Sequence, residues 1–157
     1  MGNVIFKQLR FARNCTLSDV KGINDQEALF IPAGFNNNIK WNLGHIYLIH
    51  ERNAFYFIGE KMELPESFPA LFAPGTKPAE WGEQQAPTVL ELVQLLENQL
   101  DRIEGALESR LKEAVKQPYT TSRGLTLSTV EEFITFCLYH EGMHFDAIKM
   151  IKRMMQR

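Results

Sequence analysis

Apolar residues recur at helical spacing along most of the chain. From about Asn3 to Lys21, the residues Val4, Ile5, Leu9, Ala12, Leu17 and Val20 predict a first helix, with Gly22 suited to its end. Asn24 to Asn37 carries Pro32 and Gly34 and reads as a connection. Ile39 to Ile58 then predicts a second helix closed by Gly59, so dense in apolar and aromatic residues that more than one of its faces must be covered. From Glu60 to Pro87 prolines and glycines cluster, which leaves room for one short helical turn near Glu66 to Leu71. The capping-box sequence Thr88-Val89-Leu90-Glu91 opens a third helix, in which Val89, Val93, Leu96, Leu100, Ile103, Leu107 and Leu111 alternate in steps of four and three. A loop around Gln117 to Thr126 leads to a second capping box, Ser128-Thr129-Val130-Glu131, and a fourth helix that runs nearly to the last residue.

No segment shows strand alternation bounded by hairpin turns, so the expected fold is all-α: a single domain over residues 1–157, built as a four-helix bundle. The long connection between the second and third helices can run the length of a helix, about 30 Å for 20 residues, and so permits a crossover topology. At 157 residues the chain can bury a full core without disulfides or a structural metal. Cys15 and Cys137 are too isolated for a disulfide framework and are expected to fill space.

Charge narrows the partners. The 17 basic and 19 acidic residues are interspersed and leave a net charge of -2, so no basic stripe offers itself to nucleic acid. No apolar run approaches the ~20 residues that span a bilayer, and Lys7, Arg10 and Arg13 interrupt the start before a signal-type segment develops. The expected setting is the cytoplasm, without membrane contact. The apolar breadth of the second helix also suggests a homodimer.

The candidate chemistry lies in the histidines. His140 and His144 are one turn apart, about 40° around the helix, on the stripe Val130, Phe133, Ile134, Cys137, His140, His144, Ala147, Ile148, Ile151. Two imidazoles on an apolar stripe need partners, and a shared metal ion satisfies both. His45 follows Trp41 and precedes Ile49 at helical spacing, so it should face inward as a third ligand. His50 lies about 140° away around that helix and is expected at the surface or behind the ligands. Asn42 and Arg52 fall near the His45 direction, and Arg52 could meet an anionic substrate group. Glu141, beside the pair, is a second candidate catalytic group, with a solvated or dimer-contact role as the alternative.

Trp41-Asn42-Leu43-Gly44-His45-Ile46 together with His140-Glu141-Gly142-Met143-His144 resembles the DinB-like (DinB/YfiT) superfamily of metal-binding four-helix bundles. In that family a His after a Trp-x-x-Gly motif and an HxxxH pair in the last helix form a three-histidine metal site. The resemblance implies that His45, His140 and His144 bind one divalent ion, Zn, Ni or Fe. It further implies a metal-dependent enzyme acting on a small-molecule substrate: a thiol S-transferase using a thiol of the bacillithiol or mycothiol type, or a hydrolase using metal-activated water. A non-catalytic metal-binding, stress-related bundle is the third reading. His140-Glu141-x-x-His144 also matches the HExxH motif of zinc peptidases, but Ala147 and Met150 replace the Gly and His of the extended motif.

Overall fold

The computed structural model describes residues 3–155. Four long helices form the bundle: α1 (Val4–Val20), α2 (Ile39–Ala54), α4 (Val89–Leu107) and α5 (Val130–Met155). A short helix, α3 (Phe68–Phe72), lies in the connection between α2 and α4 and packs on α2. Around the bundle α5 contacts both α1 and α2, while α4 contacts α2 and α1, so α1 lies diagonally opposite α2 and α4 diagonally opposite α5, and the long connection joins the neighbouring α2 and α4. Among the described residues no helix is long and apolar enough to cross a membrane.

Helix starts follow local chemistry. The Asn3 side chain accepts from the Ile5 N–H at 3.0 Å, and Asn38 accepts from the Trp41 N–H at 2.8 Å. Thr88 and Glu91 form the expected reciprocal capping box. The second box is displaced by one residue: Thr129 is the cap, and the Glu132 carboxylate accepts from the N–H groups of Ser128 and Thr129 at 2.6 and 2.9 Å. Glu131, expected in that role, instead pairs with Lys112.

Three further expectations are corrected. The second helix ends at Ala54, and Tyr56–Ile58 tightens into a 3₁₀ turn that Gly59 closes with φ 85°. The segment expected as loop contains a two-stranded antiparallel sheet, β1 (Ala114–Thr120) with β2 (Thr126–Thr129), pairing Tyr119 with Leu127 and Thr120 with Thr126. Its pattern is nearly invisible in sequence because Val115 is the one buried residue of β1 and Pro118 interrupts it, as an exposed edge allows. On α1 the buried stripe is Phe6, Leu9, Arg13, Thr16 and Val20, a three-four alternation, whereas Val4 is exposed.

The density of α2 is satisfied within the chain. Fifteen of its residues are buried beneath α3, α4 and α5, and Arg52 is the exception. The expectation that this helix offers a dimer face therefore loses its basis. Two larger core clusters fill the bundle, and a smaller one, Val115, Leu127 and Phe133 with Phe57, Tyr119 and Phe136 packed against it, ties the hairpin to α5.

Candidate metal centre

The stripes on α2 and α5 that carry the histidines face each other. His45, His140 and His144 each present a ring nitrogen, and the three atoms lie within 4.8 Å of one another. His45 and His140 are 5% and 7% exposed, so the group is nearly dry, with His144 its more open edge.

Hydrogen bonds fix how the rings are held. The Phe72 carbonyl can only accept, so His45 Nδ1 carries the hydrogen it donates at 2.7 Å and Nε2 keeps a lone pair. Asn42 donates from Nδ2 to the Asn38 carbonyl at 2.7 Å, which turns its Oδ1 towards His144 Nδ1 at 2.8 Å; that nitrogen too must donate. His140 Nε2 approaches His45 Nε2 at 3.2 Å, and its Nδ1 is buried without a partner. Trp41 stacks on the His45 ring at 4.4 Å and 12° and is anchored by its indole N–H to Thr76 Oγ1 at 2.9 Å.

The helix geometry that places His45 depends on Gly44. A Cβ there would stand 2.6 Å from ring atoms of Phe72, the same residue whose carbonyl holds His45. The absent side chain lets α3 lie against α2.

Burial favours neutral imidazoles. Desolvation lowers His45 to about 4 and His144 to about 3, and pushes His140 and His50 well below the ordinary histidine value. Neighbouring histidines and Arg52 add smaller repulsion at His140. Neutral, converging imidazoles with outward-directed Nδ1–H groups are the donor set that a borderline divalent cation takes, and carbonyl or amide acceptors behind ligating histidines are the usual support. Tetrahedral ligands stand about 3.4 Å apart at ordinary bond lengths, so the His45–His140 pair already has that spacing. A cation there would take the place of the hydrogen between the two Nε2 atoms, which belongs to His140 and would move to the unpartnered Nδ1 of the same neutral ring.

The other candidates have different surroundings. Glu141 is fully buried and ion-paired with Arg13, at 2.6 Å to Nε and 3.1 Å to Nη2. It is neither solvated nor a dimer contact. His50 is also fully buried, not at the surface: its Nε2–H donates to the Cys137 carbonyl at 3.2 Å and its Nδ1 accepts from Arg13 at 3.1 Å. Arg13 also donates to the Leu96 carbonyl and to Gln99, joining four helices behind the histidines. Sequence reading missed Arg13; its place in the three-four alternation of α1 was the available signal. Asp146, after the last His, is exposed and faces Lys149 at 3.7 Å. Burial pushes the Cys137 thiol up to about 12, which suits a core residue and not a ligand. Arg52 stands two turns beyond His45 with its guanidinium over the rings of Phe57 and Tyr119.

A four-helix bundle with three converging histidines between two of its helices defines the class. The chain belongs to the DinB superfamily, whose family model matches residues 8–148. A crystal structure described as the conserved protein of locus from Enterococcus faecalis is similar in fold, with a TM-score of 0.72 at 12% identity, covering 100% of this chain and 99% of that one. Comparison with curated protein sequences yields no significant match.

Proposed function

We propose that this protein is a divalent-metal-dependent S-transferase that joins a low-molecular-weight thiol to an electrophilic small molecule at a site held by His45, His140 and His144. The observation that carries the reading is the outward hydrogen bonding of His45 to Phe72 and of His144 to Asn42, which leaves their Nε2 lone pairs for a cation. When bound, the ion supplies Lewis acidity that favours the deprotonated form of a ligand. The chain's own residues hold the ring orientations, and Trp41, stacked on His45, gives the site an apolar wall that limits water. In the transfer, a sulfur lone pair forms the carbon–sulfur bond, the electrophile's leaving group departs with its bonding pair, and the thiol proton passes to solvent.

The hydrolase alternative asks more of the side chains. Water is a far weaker acid than a thiol and gains most from a nearby carboxylate base. Glu141, the carboxylate best placed by sequence, is engaged by Arg13, which favours the thiol reading. Zn, Ni and Fe all suit three imidazoles.

Protein purified without a nickel column should hold one metal per chain by elemental analysis, and His144→Ala should hold none while keeping its helical circular dichroism. A metal-dependent rate with bacillithiol and a fluorogenic electrophile supports transfer. Turnover restricted to esters or amides would replace it with hydrolysis, and silence in both panels with a metal-binding module. We also propose a homodimer, seated on the outer face of α5 and the hairpin, where Leu125, Tyr139 and Met143 are exposed around a groove of about 1020 Å³. Light scattering should then give twice the chain's 18.1 kDa.

A further inference from the structure

Arg52 is the residue of α2 left incompletely buried, and it lies on the His45 side of the helix two turns further on. Seven residues advance an α-helix by about 10 Å and rotate it back to within about 20° of the starting direction.

The Arg52 charge is uncompensated. Arg10, Arg13, Arg102 and Arg110 each meet a carboxylate within 3.0 Å. Among the described residues Arg52 forms no ion pair, and its Nε is buried without a hydrogen-bond partner. Its guanidinium instead rests 5.7 and 5.6 Å from the ring centres of Phe57 and Tyr119. Cation–π contact fixes the plane of the fork but supplies no acceptor for its N–H groups. Holding one N–H of the guanidinium away from water without an acceptor is unfavourable.

We propose that Arg52 is an anchor for a carboxylate on the molecule handled at the three-histidine site. This deepens the proposed function and rests on it: the ligand class is a thiol, or another metal-seeking donor, joined to a carboxylate by a short flexible chain. A planar carboxylate matches the fork with two parallel hydrogen bonds, and its single charge is balanced by one arginine, whereas a phosphate dianion would need a second cation.

The test compares 4-mercaptobutanoate with 4-mercaptobutan-1-ol, equal in length and different in charge. In cobalt-loaded protein, sulfur-to-cobalt charge-transfer absorption reports thiol binding. The carboxylate is expected to bind about tenfold more tightly than the alcohol, and Arg52→Gln to reduce that preference to about unity while the alcohol still binds. In parallel, the Arg52 Nε–H resonance, assigned by its loss in Arg52→Lys, should shift saturably with the carboxylate and not with the alcohol. Equal affinities or an unmoved Nε resonance overturn the proposal and leave the metal reading intact. If no cobalt spectrum develops, the metal reading fails. The Nε response of the metal-free protein to butanoate then decides the anchor alone, a shift supporting it and none overturning it.

Discussion

Arg13 and Glu141 sit at 2% and 0% exposure, and each is the other's charge partner. Such a pair contributes little over a well-packed apolar pair, but removing one member strands the other in a medium that cannot solvate it. Arg13→Met should therefore destabilise the protein by about 3–5 kcal/mol in urea unfolding, and adding Glu141→Gln should recover part of the loss. At the same scale, Asn42→Ala removes the acceptor that sets the His144 tautomer and should weaken metal binding about 10–100-fold in a chelator competition. The histidines were legible in sequence because a polar residue on an apolar stripe stands out against its neighbours. Arg13 was not, since a lone arginine on a helix is ordinarily solvated and nothing local says that a glutamate 128 positions away turns inward to meet it.

Elements were legible in proportion to their periodicity. The third helix of the sequence, with its box at Thr88 and Glu91, corresponds to α4, while β1 and β2 escaped because a half-exposed hairpin carries too few buried positions to alternate. Gly44 shows a different limit. A glycine inside a helix reads as a weakness of about 1 kcal/mol relative to alanine, yet here it is the place where the Phe72 ring presses on α2. Gly44→Ala should thus lower stability by about 1–3 kcal/mol despite its better helix propensity. It should also loosen the metal site, because the displaced α3 takes the His45 acceptor with it. Thermal unfolding and metal titration read the two effects, and Gly44→Ala with Phe72→Leu, which opens room for the methyl group, should restore stability.

At the scale of the whole molecule, the buried histidines couple folding to pH. In the unfolded chain each titrates near 6.5, while in the folded protein His45 and His144 are held down to about 4 and about 3, and His50 and His140 are lowered further. Between those values the unfolded state binds protons that the folded state refuses. The metal-free protein should therefore be most stable above pH 6.5 and lose stability as pH falls towards 4, by up to about 1.4 kcal/mol per unit for each histidine. Urea unfolding across that range measures the slope, which should be shallower in His140→Leu. The same burial gives a second expectation about the ion. A site of exposed imidazoles must shed protons to take a metal at pH 6, whereas these rings are already neutral, so cobalt binding there should release almost none from them. Calorimetry in buffers of different ionisation enthalpy reads the proton count directly. A release approaching one proton per histidine would mean that the rings are solvated in the metal-free protein, and that α2 and α5 close over the site only when the ion arrives.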